Sequence, residues 1–181
     1  MLDTRVLVIF AAAVCGIASG GLVVKHFGLG TDTNTAGNVK WRDTPWAFAC
    51  DDWPVGRGFE CEAAECGTKI SVYVRMKKGV SKCDSGVADD DELDRVGDVH
   101  LVSRDFKAIG AGEFRSIANT PGRIRLYRAG DAYVMSLASS KNCDAFVTTA
   151  LAKEPLTAKA AEALTQFTNE AEFVKWVEGL R

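Results

Sequence analysis

The chain carries six cysteines, yet no two of them form a Cys-x-x-Cys, and it has two histidines in 181 residues. A zinc site wants four ligands, often in close-spaced pairs, so this spacing argues against one. Neither sign of charge is in marked excess. The formal net charge is −2, which gives no reason to expect nucleic acid as a partner. There is no Gly-x-Ser-x-Gly elbow and no phosphate-binding loop. Gly110 and Gly112 do not make a dinucleotide fingerprint, because Arg115 stands where the third glycine belongs. No cofactor is expected from these patterns.

What the chain does have is a long apolar run close to its start. Nineteen uncharged residues, Val6 to Val24, lie between Arg5 and Lys25. As a helix they would measure about 28 Å, close to the hydrocarbon thickness of a bilayer. Ala18-Ser19-Gly20 offers the small residues that a signal peptidase prefers. The run continues through Leu22, Val23 and Val24, however, and a secretory apolar region is usually about 7–15 residues. Lipid attachment at Cys15 fits badly, because bulky Val14 precedes it. The expectation is a single transmembrane helix acting as an anchor, or an uncleaved signal, over residues 1–26. Gly16 and Gly20 form a GxxxG inside it, a spacing that lets a second helix approach closely. A membrane-protein partner or a homodimer is the partner this expects, beside the membrane itself through residues 6–24.

Residues 27–43 read as a linker, rich in Gly, Thr, Asn and Asp. Residues 44–181 are long enough for one domain with its own core. Five cysteines follow the apolar run: Cys50, Cys61, Cys66, Cys83 and Cys143. Disulfides are their expected use, which implies an oxidising compartment. The domain is then extracytoplasmic, held by a single pass in the cell (inner) membrane. Nearness in sequence favours Cys50–Cys61 and Cys66–Cys83 and leaves Cys143 unpaired, although connectivity does not follow from sequence.

Trp46 to Cys50 reads as a short strand that returns at Phe59-Glu60-Cys61, with Cys50 and Cys61 flanking the turn. Ile70 to Met76 alternates with period two, placing Ile70, Val72, Val74 and Met76 inward. Asp89-Asp90-Asp91-Glu92 is a contiguous acidic run. Calcium loops alternate their ligands, so a helix start is the better account, with Asp89 as cap, Glu92 three residues on and Gly97 as the stop. Charge then changes sign, from −6 over residues 84–105 to +4 over residues 107–128. The two stretches either face each other or form a docking surface.

Arg123–Arg128, Tyr133–Ala138 and Ala145–Leu151 are joined by short turns and read as a three-stranded antiparallel meander. Two helices close the chain. Thr157 caps the first, and Asn169 with Glu172 makes a capping box for the second. Phe173, Trp176, Val177 and Leu180 form an apolar stripe on the second, suited to covering the sheet. The fold class is α+β.

Two functions from different classes follow. One is a membrane-anchored extracytoplasmic binding or accessory domain, a subunit of a membrane complex. The other is a periplasmic enzyme with a Cys143 nucleophile and His100 as its base, because an unpaired thiol with a histidine outlines such a site.

Overall fold

The computed structural model describes residues 39–49 and 51–179. The Val6–Val24 run with its Gly16 and Gly20, the residue Cys50 and the end of the final stripe, Leu180, lie outside them. Among the described residues no helix is long and apolar enough to cross a membrane.

Seven antiparallel strands form one sheet: β1 (Arg42–Thr44), β2 (Arg57–Cys61), β3 (Ile70–Lys77), β4 (Phe106–Ile117), β5 (Thr120–Ala129), β6 (Ala132–Lys141) and β7 (Asp144–Ala152). Their order across the sheet is β1-β2-β3-β7-β6-β5-β4. The expected α+β class and its meander are therefore present, and the meander has a fourth strand, β4, at the edge. Short helices α1 (Ala63–Cys66), α2 (Asp90–Val96) and α3 (Val99–Val102) sit in the first half. Helices α4 (Ala158–Phe167) and α5 (Ala171–Gly179) follow the sheet.

Each face of the sheet is covered by different elements. Ile70, Val72, Val74 and Met76 of β3 face α4 and α5 in the main core, with Met135 and Leu137 of β6 and Phe146 of β7. Helix α4 contributes Ala160, Leu164 and Phe167, and α5 contributes Phe173, Val174 and Val177. The opposite face carries two smaller apolar clusters. Leu93 and Val96 of α2 pack on Ala138, Ala145 and Val147. Val99 of α3 packs on Tyr127, Ala129 and Val134. A sheet covered on both faces buries nearly every side chain of its central strands. Seven of the eight residues of β3 are buried.

The caps work as the side chains predict in two places. Asp89 Oδ1 accepts the N–H of Glu92 at 2.7 Å, and Thr157 Oγ1 accepts the N–H of Ala160 at 3.1 Å. Gly97 is the C-cap of α2. Asn169 does something else. Its amide donates to the carbonyls of Ser116 and Thr165, and its oxygen accepts the N–H of Asn119. It ties the β4–β5 turn to the end of α4, and its side chain is spent before α5 begins.

Residues 46–49 are not a strand, contrary to the periodicity reading. Trp46 and Phe48 both turn onto Tyr73, at ring separations of 5.7 and 4.8 Å. The strand beside β2 is instead β1, pairing Arg42 with Glu60. The sheet thus starts at Arg42, and Val39 and Trp41 already pack on the core.

Candidate functional site

The most concentrated charge in the interior lies on β3. Arg75 and Lys77 follow Ser71 and Tyr73 on the face turned away from α4 and α5, and each is 2% exposed. Arg75 lies between two carboxylates. Its Nε and Nη2 donate to Asp98 at 2.7 and 2.5 Å, and its Nη1 and Nη2 donate to Asp51 at 2.7 Å each. Lys77 Nζ donates to the Val96 carbonyl at 2.8 Å and lies 2.7 Å from Asp98 Oδ1. Trp46 flanks Arg75 and Trp53 flanks Lys77, at 5.5 and 5.8 Å from the ring centres. Two cations and two carboxylates balance. A charge this deep is tolerated only when paired and hydrogen-bonded.

Each group responds to its surroundings. The hydrogen bond from Arg75, against the opposing effect of burial, holds Asp51 down at about 2. Burial opposes charge on Arg75, but its two carboxylate partners outweigh that and push its pKa up. Burial dominates at Lys77 and pushes its pKa down, although Asp98 pulls the other way. Asp51 is the outermost member, with a side chain 22% exposed. It belongs to the irregular stretch formed by residues 45–49 and 51–56, which this cluster clamps against β3.

A second network joins α2 to β5. Asp90 accepts from Arg123 Nε at 2.5 Å and from the Gly112 N–H at 3.0 Å. Asp94 accepts from Arg125 Nη1 at 3.2 Å and from the Tyr127 hydroxyl. Burial and the Asp94 carboxylate raise the Tyr127 pKa, so the hydroxyl keeps its proton. The guanidiniums of Arg123 and Arg125 also donate to the Gly112 and Gly110 carbonyls. Those two glycines sit in a bulge of β4, where register shifts between Ile109 and Glu113. The acidic stretch and the basic stretch therefore face each other. Glu92 is used the same way: it accepts from the Lys82 N–H and from Arg95. Asp89, Asp90 and Glu92 are thus spent inside the chain, in a cap and in ion pairs. Among the described residues no cluster of three His, Cys, Asp or Glu side chains is arranged to hold a metal.

The disulfides differ from the expected pairs. Cys61 bonds Cys66, and Cys83 bonds Cys143. Cys61–Cys50 and Cys66–Cys83 are therefore corrected. The reason is topological. Cys61 ends β2 and Cys66 ends α1, so one helical turn brings them together, with Cα atoms 6.1 Å apart. Cys83 lies in the segment between β3 and α2, which crosses the β6–β7 turn holding Cys143. In the chain-entropy model the short loop contributes about 2 kcal/mol and the loop closed over 60 residues about 4 kcal/mol.

That bond also overturns Cys143 as a resting nucleophile, because a sulfur in a disulfide has no thiolate to offer. His100 is not beside it in any case. His100 is an exposed residue of α3, which packs near Val134 at one end of β6, whereas Cys143 follows the other end. From Val134 to the turn the strand runs about 25 Å. Asp144, the neighbouring carboxylate, accepts the Gly79 N–H at 2.8 Å.

A shallow groove of about 270 Å³ opens next to the Cys83–Cys143 bond. One wall is the segment Cys83–Ala88. The other is formed by Phe114, Pro121 and Gly122 of the β4–β5 hairpin. Gly86 has φ +60, and a Cβ there would meet Ser140 Oγ at 2.2 Å, so the wall favours glycine at that position. Phe114 is 66% exposed and Ile109 is 46% exposed, so two of the three large apolar side chains left open to solvent among the described residues lie on β4.

No protein-family model matches the chain, and no curated protein matches it in sequence. Its features must therefore be read from its own geometry. The β3 cluster was missed by the sequence reading because Arg75 and Lys77 alternate with apolar residues, which normally places charge in solvent. The signal available was the aromatic segment upstream, Trp46 to Trp53, which carries Asp51 between two cation-binding rings.

Proposed function

We propose that this chain is a membrane-anchored binding or accessory domain, held outside the cytoplasm by the Val6–Val24 run. The observation that carries the reading is the pair of disulfides, which belong in an oxidising compartment. The apolar run supplies the anchor. The polar clusters support binding over chemistry, because their charges are committed to one another: Arg75 to Asp51 and Asp98, Arg123 to Asp90, Glu92 to Arg95. Among the described residues the β4 edge, with exposed Ile109 and Phe114, is the surface assigned to a partner. A strand at the edge of a sheet offers unpaired backbone groups together with such side chains.

The test has two parts. Thiols are trapped with an alkylating agent in cells making the full chain and in cells making residues 39–181 alone. The full chain should be recovered with the membrane fraction and with Cys61, Cys66, Cys83 and Cys143 oxidised. The truncated chain should be soluble and its cysteines reduced. A photo-crosslinker at position 114 in the full chain should then join it to a membrane protein or to a second copy. Reduction of these four cysteines in the full chain would overturn the location. A lone monomer in mild detergent, with no crosslink, would overturn the binding role.

A further inference from the structure

The two disulfides differ in a way that the anchoring of the domain does not explain. Cys61 and Cys66 are both 0% exposed, sealed into the main core. Cys83 is exposed and Cys143 is half-buried. Thiol–disulfide exchange needs a thiolate to reach a sulfur along the line of the bond, so access decides which bridge can react. Of the two bridges only Cys83–Cys143 includes an exposed residue, Cys83.

The backbone around Cys143 points the same way. Asn142 and Cys143 form the two-residue turn between β6 and β7, with φ of +55 and +69. Hairpin turns of this hand favour glycine or asparagine, and an Asn-Gly pair would be the ordinary choice. A cysteine in the second position accepts a backbone cost, and the bond to Cys83 is what it gains. The bond is also placed where breaking it moves something. The segment between β3 and α2 is pinned at its start by Gly79 to Asp144 and by the Ser81 N–H to the Cys143 carbonyl. At its end the Val87 N–H donates to Ser140 Oγ. Between those anchors, Cys83–Gly86 forms the wall of the groove and is tied to the hairpin by the disulfide.

We propose that Cys83–Cys143 is an exchange site for a dithiol protein, and that its reduction frees the Cys83–Gly86 wall and opens the groove beside Phe114. The partner's first thiolate attacks Cys83 Sγ. A mixed disulfide forms there as the Sγ–Sγ bond breaks, and the electron pair leaves on Cys143 Sγ, which takes up a proton. The partner's second thiolate attacks the mixed disulfide and releases Cys83 as a thiol. The partner ends as a disulfide, and this chain has gained two electrons and two protons. Cys61–Cys66 remains closed throughout and keeps β2 joined to α1. This goes beyond the binding role, and it holds or fails on the purified protein wherever the chain resides.

The experiment uses the full chain in mild detergent with its free thiols blocked by N-ethylmaleimide. Limiting dithiothreitol is added, samples are quenched with a second alkylating agent, and labelled peptides are quantified. Cys83 and Cys143 should gain label at least about tenfold faster than Cys61 and Cys66. A thioredoxin whose second active-site cysteine is serine should be trapped on Cys83. Hydrogen exchange over residues 83–86 should accelerate on selective reduction, while α2 keeps its protection. Equal labelling of the two bridges, trapping on Cys143, or unchanged exchange in the wall would each overturn the proposal.

Discussion

Arg75 binds Asp98 through two hydrogen bonds, of 2.7 and 2.5 Å, with both side chains 2% exposed. The pair spans 23 positions in sequence and fastens β3 to the α2–α3 junction. Forked geometry suits a guanidinium, whose two edges here serve two carboxylates at once. Asp51 takes the other edge, so one side chain joins three segments that local sequence does not connect. Such a pair adds little net stability over an apolar replacement, but it makes the loss of one partner costly.

Replacing Arg75 by Met should therefore destabilise the domain by about 3–5 kcal/mol, because Asp98 would keep only Lys77 and Asp51 would lose its partner. Arg42→Ala is the comparison. Arg42 is 49% exposed and its pairs with Glu60 and Glu62 lie at the surface, so the change should be within about 1 kcal/mol. Urea unfolding of the two variants measures the difference. Equal midpoints would show that the β3 cluster does not hold the fold.

Asp51 sets a pH dependence. Its folded pKa, about 2, lies below its ordinary 3.8, so the folded state favours the charged carboxylate. The stability it contributes is present above pH 4 and is lost as pH falls from about 4 to 2. Asp90 and Glu92 are also lowered, so the acid limb belongs to all three. Asp51→Asn should lower stability at pH 6 and flatten the fall below pH 4. Urea midpoints at pH 6, 4 and 2.5 test this. Parallel curves for the two proteins would count against the assignment.

The elements that sequence revealed are those whose signal is local. The alternation in β3, the short turns of the β5–β7 meander and the caps at Asp89 and Thr157 depend on residues within a few positions of one another. Strand β4 was missed because Phe106–Ile117 lies at the edge, mostly exposed, and is broken by a bulge at Gly110–Gly112. An edge strand with neither face buried carries no strong period. The disulfides were misassigned for the opposite reason. Cys83 meets Cys143 across 60 positions, and only the crossing of the β3–α2 segment over the β6–β7 turn decides it. The facing of acidic and basic stretches was legible as one of two possibilities. The sheet's order makes it real, placing Arg123 and Arg125 beneath α2.

Helix α5 carries the next prediction. Phe173 is 5% exposed and touches both Phe146 and Phe167, at ring separations of 5.5 and 4.8 Å. Trp176 is only half-buried at the rim, against Phe173 and under the Arg57 guanidinium. Phe173→Ala should cost about 3–5 kcal/mol, and Trp176→Ala about half of that. Thermal melting of both variants decides the order. A larger loss at Trp176 would mean that the stripe's centre lies nearer the end of the helix.

Gly56 connects the irregular segment to the β3 cluster, and its substitution tests whether that segment acts as a clamp. A Cβ at position 56 would lie 1.9 Å from the Val74 carbonyl oxygen, 2.7 Å from Arg75 Cβ and 2.8 Å from the Trp46 ring. The nearest of these is backbone in the middle of a paired strand, which cannot yield. The segment must move off β3 instead. Overpacking of this kind costs about 1–3 kcal/mol. The movement has a specific consequence: Asp51 and Trp46 travel with the segment, so Arg75 loses a carboxylate and a ring together. Gly56→Ala should therefore change tryptophan fluorescence and remove the same part of the acid limb that Asp51→Asn removes. Combined in one chain, the two changes should cost less than their sum, because each breaks the same contact. Val55→Ala, at a neighbouring side chain 63% exposed, should leave both readouts unchanged. Additive losses in the double variant would show that Gly56 and Asp51 act separately, and that the segment is not held through Arg75.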